Sequence, residues 1–255
     1  MTRIGVVLRP ELAPEAIVEA ARAADAAGVD EVWLWEDCFF SGGLSTAAMI
    51  LASTDRVNVG IGVLPTPMRN VASTAMEIAT IARVHPGRLR VGLGHGVQSW
   101  MAQIGARVQS PLTLLSEQMA ALTSLLASET VTVQGRYVSL DEVKLNWPPL
   151  QPPPLLVGAT GPKTLALSGR CSVGTILTSE TSPEQLRSAI EHIDGGPEHD
   201  VIVYVSAGSD PVDIQRWLDA GATTVVLEPS ADAADPTSLF AQAASATARF
   251  GSYRR

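Results

Sequence analysis

Short apolar runs rich in β-branched residues alternate with helical patterns from one end of the chain to the other. The runs are Ile4–Leu8, Glu31–Trp35, Val57–Leu64, Leu89–Leu93, Leu155–Gly158, Gly174–Thr178, Val201–Val205 and Thr223–Leu227. They are nearly continuous rather than alternating, as parallel strands buried on both faces must be. Between them the sequence predicts helices. Pro14 stands in the first turn of one that Gly28 ends, a weaker one covers Leu44–Ser53, and a third covers Val71–Val84. A short turn near Trp100 precedes a long helix over Pro111–Leu126, and a short helix starts near Pro162. Ser182-Pro183-Glu184-Gln185 opens the next with an N-cap Ser and a Gln three residues on. Asp210-Pro211 opens another, closed at Gly221, and Asp235-Pro236 opens the last, which ends near Phe250.

Segment 130–147 breaks this rhythm. It alternates around Gln134-Gly135 and predicts a small hairpin inserted in a crossover. The proline run that follows, WPPLQPPPL, lacks the Gly and Ser of a flexible linker and reads as an extended lead-in to the fifth strand. Eight strands, each followed by a helix, predict a single (β/α)8 barrel domain over 1–255. The competing architecture is an open doubly wound sheet, supported by Gly92-Leu93-Gly94-His95-Gly96. That stretch is not a dinucleotide fingerprint, because position 97 is Val and no acidic residue ends a second strand ~20 residues on.

Composition narrows the chemistry. Hydrophobic residues are 46% of the 255 but aromatics only 5%, so the core is aliphatic and a disordered chain is excluded. The net charge of −8 repels phosphate backbones, so no nucleic-acid partner is expected. No apolar run approaches the ~18–20 residues of a membrane span, and MTRIGVVLRP reads as a strand, so no membrane is expected either. Cys38 and Cys171 do not form a disulfide framework. The expectation is a cytoplasmic enzyme or binding domain.

In a barrel the chemistry sits where strands end. The second strand exits into Glu36-Asp37-Cys38, the third into Pro65-Thr66-Pro67-Met68-Arg69-Asn70, the fourth into Gly94-His95-Gly96-Val97 and the fifth into Ala159-Thr160-Gly161-Pro162-Lys163. GATGPK suits a phosphate, since glycine admits the backbone and a helix start offers free N–H groups beside Lys163. An ordinary strand–turn–helix explains it equally well. A Schiff-base aldolase is excluded because neither Lys144 nor Lys163 ends a strand. The four histidines share no metal-ligand spacing, and no nucleophile motif is present. Few proton-transfer groups among many apolar and Gly positions suit a cofactor that carries the chemistry itself. Of the single residues, His95 is the histidine at a strand end, a general acid or a phosphate ligand. Cys38 is an active-site thiol or a small buried residue, and Cys171 belongs to the core. Arg69 and Asn70 bond a ligand or close a turn. Glu36 is expected to face outward, and Trp33 and Trp35 to share one strand face and pack against helices.

The stretches AADAAGVDEVWLWED, VGIGVLPTPMRNVASTAMEIATIARVHPGRLRVGLGHG and PLLVGATGPKTLALSGRCSVGTILTS, in this order and spacing, resemble the luciferase-like flavin and deazaflavin oxidoreductases. The resemblance covers about two-thirds of the chain. It implies a (β/α)8 barrel, hydride transfer or flavin monooxygenation with coenzyme F420 or FMN, and a homodimer. It implies a ring seated against a bulge within Gly62–Pro65, with Val63, Leu64 and Pro65 as the wall and a non-prolyl cis peptide there. It implies a phosphate near Gly94-His95-Gly96 and Ala159-Thr160-Gly161-Pro162-Lys163, and Asp37 at the ring. Two departures stand out: sugar-phosphate and alcohol dehydrogenases of the family have His where this chain has Cys38, and Glu where it has Val97. Four readings follow. The first is an F420-dependent oxidoreductase acting on a small organic substrate, with Asp37, Cys38 and His95 as catalytic candidates. The others are an FMN monooxygenase with a separate reductase, a non-catalytic flavin or F420 binder, and a phosphate-binding barrel lyase or isomerase.

Overall fold

The computed structural model describes residues 2–207, 212–230 and 235–251. The predicted helix opening at Asp210-Pro211 lies outside them, whereas the later part of that helix, Ile214–Asp219, is described. In chain order, β1 (Arg3–Val7) leads to α1 (Pro14–Ala27), β2 (Glu31–Leu34) to α2 (Gly43–Ser53), β3 (Asn58–Pro65) to α3 (Val71–Val84), and β4 (Leu89–Gly94) to α4 (Gln98–Gln103) and α5 (Pro111–Leu126). The hairpin β5 (Val131–Gln134) and β6 (Ser139–Val143) follows, antiparallel and outside the barrel. Then come β7 (Leu155–Gly158), α6 (Pro162–Cys171), β8 (Gly174–Leu177), α7 (Pro183–Ile193), β9 (Asp200–Ala207), α8 (Ile214–Asp219), β10 (Thr224–Pro229) and α9 (Thr237–Phe250). Among the described residues eight parallel strands close in the order β1-β2-β3-β4-β7-β8-β9-β10, a (β/α)8 barrel.

Local chemistry sets the element ends. Gly28 adopts φ 83° and stops α1, a left-handed conformation that only glycine takes without cost. Ser182 and Gln185 complete the capping box of α7, and the Asn70 side chain caps α3 through Ala72 and Ser73 N–H. The proline run ends on Pro154, whose carbonyl accepts from Val91 N–H, so it feeds β7 directly.

The barrel interior is filled by a few large side chains, each opposed by glycine. Trp33 is fully buried; a Cβ on Gly60 would lie 2.3 Å from its indole and one on Gly5 2.7 Å. Trp33 packs with Val7, Leu156, Ile176, Ile202, Tyr204 and Val226, and Trp35 joins this inner cluster from above. Both tryptophans share one strand face, but that face is the barrel interior rather than the helix-packed exterior. The reason is size: the glycines of β1 and β3 leave a void that an indole fills. Beneath Trp33 lies a paired charge layer. Glu31 accepts from Trp33 Nε1 at 3.0 Å and from Arg90 at 3.0 Å, and Arg90 also bonds Asp200, which Arg3 reaches at 2.8 Å. Burial alone would raise the Asp200 carboxyl, but Arg90, Thr223 and Arg3 bring it below its ordinary value. Each charge has a partner, as deep burial requires.

Candidate active site at the barrel mouth

At the C-terminal ends of the strands the barrel opens into a cavity of about 520 Å³. Its wall is made by β3. The Gly62–Val63 peptide is cis, and the pairing of β3 with β4 shifts register between Ile61 and Leu64. Val63 therefore leans across the mouth onto a glycine socket: a Cβ at Gly94 or Gly158 would lie 2.6 or 2.7 Å from its methyl groups. Beneath it, Tyr204 of β9 is buried and donates its hydroxyl to the Gly62 carbonyl at 3.3 Å. A Cβ on Gly62 would come 2.3 Å from that oxygen. Burial pushes the Tyr204 phenol well above its ordinary value, so it remains a donor. Its ring centroid stands 6.0 Å from that of Trp35.

The exit of β2 is anchored on both sides. Glu36 N–H donates to the Val63 carbonyl at 3.1 Å, fixing the bulge to β2. The Glu36 carboxylate is 7% exposed; it accepts from Gly43 N–H at 2.9 Å and from the Arg69 guanidinium. The expectation that Glu36 faces outward is thus corrected, because Arg69 supplies the charge that allows its burial. The same contact gives Arg69 its role, joined by Glu77 at 3.0 Å.

Asp37 is half-buried on the cavity, and its Oδ2 accepts from Trp35 Nε1 at 2.9 Å. Burial raises its carboxyl above the ordinary value, against the pull of the Trp35 N–H. Beside it, Arg9 spans Glu228 at 2.8 Å and Glu11 at 2.7 Å, 5.6 Å from the Trp35 ring centroid. Glu228 also lines the cavity.

Across the mouth, the exits of β4 and β7 carry little side chain. Gly94, His95, Gly96, Ala159 and Thr160 line this side. His95 Nε2 bonds Thr164 Oγ1 of α6 at 3.0 Å, while its Nδ1 is buried without a well-formed hydrogen bond. Burial lowers the imidazole below its ordinary value, so it is neutral at pH ~7; the Pro111 backbone partly offsets this. Gly161 is the N-cap of α6, and a Cβ there would meet nothing within 4 Å. Lys163, the second residue of that helix, is exposed.

Of the residues singled out in the sequence, Asp37, Val63, Pro65, Gly94, His95, Gly96, Ala159 and Thr160 meet at one cavity. Leu64 is fully buried and belongs to the core outside the barrel. Cys38 is 8% exposed, with its sulfur 3.4 Å from that of Met68; it is not among the cavity-lining residues, and burial and two neighbouring carboxylates raise its thiol. The Cys38–Phe39 peptide is a second cis bond. Pro162 lines an adjoining cavity of about 370 Å³ that shares Thr160 and Thr178 with the first. Tyr204 and Trp35 escaped the sequence reading as site residues. The available signal for Tyr204 was one aromatic in an aliphatic strand, two residues from the interior Ile202.

A family model described as luciferase-like monooxygenase matches residues 1–251. The chain is 30% identical over 198 residues to a 5,10-methylenetetrahydromethanopterin reductase of Methanolobus tindarius, covering 78% of this chain and 58% of that one. It is 29% identical over 224 residues to an F420-dependent glucose-6-phosphate dehydrogenase of Kineococcus radiotolerans, covering 79% and 66%. The chain thus spans roughly three-fifths of the length of these relatives. Among solved structures, an F420-dependent secondary alcohol dehydrogenase in complex with an F420–acetone adduct superposes with a TM-score of 0.83 at 18% identity, over 95% of this chain and 99% of the other, which shows the shared fold.

Proposed function

This chain belongs to the luciferase-like monooxygenase family, and from that premise we propose that it is an F420-dependent oxidoreductase transferring hydride to or from a small organic substrate. The observation that carries the reading is the Val63 wall on its glycine socket, with the open Gly161 start of α6 next in sequence to Thr160, which lines the same cavity. A flat ring needs an apolar wall to lie against, and a phosphate needs backbone N–H donors with room to approach. The mouth offers both. The names of the relatives support F420 as the ring-bearing group.

When bound, F420 supplies a carbon that gives or takes a hydride. The protein's share is orientation. Val63 and Pro65 form the wall, and Tyr204 and Glu36 hold that wall by its Gly62 and Val63 carbonyls. The Lys163 N–H, in the first turn of α6, has no carbonyl one turn back within the helix and would donate to phosphate together with the Lys163 ammonium. His95 holds the first turn of α6 through Thr164. Asp37, fixed by Trp35, keeps Oδ1 for a ligand donor.

The family's name favours a second reading, an FMN monooxygenase. Titration of the purified protein with F420 and with FMN, followed by fluorescence, separates the two. Tighter FMN binding would transfer the assignment to the second reading, and binding of neither would remove both. We also read the exposed Phe39, Phe40, Met49, Met68 and Met76, on α2, α3 and the loops before them, as the contact face of a homodimer. Light scattering of the purified chain tests this.

A further inference from the structure

We propose that Gln118, on the outer helix α5, is a positioning residue for the ring-bearing group: its side-chain amide clamps the turn that follows the Val63–Pro65 wall and so fixes where that wall stands. The inference rests on the reading above in taking this wall as the seat of a ring.

Gln118 lies in an apolar stripe. It shares a face of α5 with Leu114, Leu115, Leu122 and Leu125, and among the described residues it is the one polar side chain buried on that helix. It is 3% exposed. Its Nε2 donates to the Thr66 carbonyl at 3.0 Å and to the Arg69 carbonyl at 2.9 Å. Two carbonyls facing one atom identify that atom as the nitrogen. An uncharged side chain with two donors on one atom is Asn or Gln, and Asn is a methylene shorter.

The two carbonyls bracket one turn. β3 closes at Pro65, a 3-10 turn spans Thr66–Met68, and Arg69 follows. Pro65 has no N–H, so this end of the wall brings no backbone donor of its own. Its place depends on residue 66, which is tied twice. Gln118 holds the Thr66 carbonyl from outside, and Thr66 Oγ1 donates to the Gly94 carbonyl of β4 at 3.0 Å. Arg69 carries the clamp further. Its guanidinium bonds Glu36, whose N–H holds the Val63 carbonyl at 3.1 Å. Gln118 thus acts on Pro65 through Thr66 and on Val63 through Arg69 and Glu36, although it is not among the cavity-lining residues.

Stability alone gives a weak account of this side chain. Its Oε1 is buried and accepts no hydrogen bond among the described residues. An unpaired buried acceptor offsets much of what two neutral bonds contribute, so the net gain is small. Leu at this position would replace the unpaired Oε1 by an unpaired Arg69 carbonyl, while the Thr66 carbonyl keeps the Arg69 N–H at 3.2 Å. What Leu cannot do is hold the turn in place.

The test compares Gln118→Leu with Leu125→Val, a core truncation on the same face about two turns further along α5. Tm, hydrogen exchange of the cofactor-free protein, and the Kd and visible circular dichroism of bound F420 are measured. Gln118→Leu should keep its Tm within ~4 °C of the parent. Its exchange over residues 62–70 should be ~10-fold faster, with that of β8 unchanged. It should bind F420 ~10-fold more weakly, with an altered circular dichroism band. Leu125→Val should lose at least as much Tm and keep the parent's Kd and band. Unchanged exchange over 62–70, or F420 binding within ~2-fold of the parent, overturns the proposal. So does an equal loss of affinity in Leu125→Val. If Gln118→Leu does not fold, Gln118→Met is measured in its place, and failure of both makes the residue a folding requirement and overturns the positioning role. If the parent does not bind F420, the functional reading fails by itself, and exchange over 62–70 still decides whether Gln118 holds the wall.

Discussion

On the β4–β7 side of the mouth the cavity meets Gly94, Gly96, Gly158 and Ala159, with the open Gly161 start of α6 just beyond. On the β10–β1–β2 side it meets Glu228, Trp35 and Asp37, with Arg9 held behind them. The first side works by what is missing: at Gly94 and Gly158 the backbone is bare, and an added Cβ takes space from Val63. The second works by what is added, charged side chains in a fixed net. The two sides should therefore respond to opposite kinds of change. The glycine side should be sensitive to bulk and indifferent to charge swaps elsewhere. The carboxylate side should be sensitive to charge and pH and tolerant of isosteric replacement.

The largest effect is expected at Gly161→Val. A Cβ at this position meets no protein atom within 4 Å, so circular dichroism and thermal stability should be near those of the parent. The cofactor Kd should rise ~100-fold, since displaced phosphate loses charge-assisted bonds worth roughly 1.5–3 kcal/mol each. Unchanged affinity in this folded variant would move the phosphate away from α6. Next comes Gly62→Ala, whose Cβ collides with the Tyr204 hydroxyl; overpacking of this kind costs about 1–3 kcal/mol, read by urea unfolding. Tyr204→Phe removes the colliding oxygen, so the double variant should be more stable than the sum of the singles implies. Simple additivity would show that Tyr204 does not set the bulge.

Smaller still is Lys163→Ala, expected to raise the cofactor Kd by ~3–10-fold with a shallower salt dependence, because the backbone donors remain. Loss as large as that of Gly161→Val would make the side chain, not the bare backbone, the main anchor. The smallest effect belongs to Asp37→Asn in the cofactor-free protein. Burial raises the Asp37 carboxyl, so the folded state binds that proton more tightly than the unfolded chain. Its contribution is fully present below the ordinary carboxylate value of ~4 and is lost as pH rises through the raised one. The Asn variant should then gain slightly in Tm over the parent between pH ~4 and neutrality, and not below. A gain that is the same at every pH would place the effect in packing instead of charge.

The strand–helix alternation was legible because burial on both faces of a parallel strand writes a continuous apolar run. The hairpin at 130–147 and the irregularity at Gly62–Val63 were legible too, the second through family resemblance. Glu36 was not. A carboxylate next to a strand end reads as solvent-facing until Arg69, 33 residues away in sequence, is brought against it. Trp33 and Trp35 were placed on one face correctly but on the wrong side of the sheet, since period two fixes alternation and not which face closes inward. Tyr204 gained meaning only opposite Gly62, 142 positions earlier.

What this sequence determined by itself was local: strand lengths, the helix stop at Gly28 and the cap at Ser182, bare glycines at strand exits, and an acidic balance with few cations. Each depends on neighbours within a turn or two, where backbone propensity and capping act. What the tertiary structure alone decided was pairing across the barrel. Only closure sets Val63 over Gly94 and Gly158, Tyr204 under Gly62, and Arg9 between Glu11 and Glu228. Those contacts join strands up to 219 residues apart, and their energies come from close packing and short charge separations that no run of residues records.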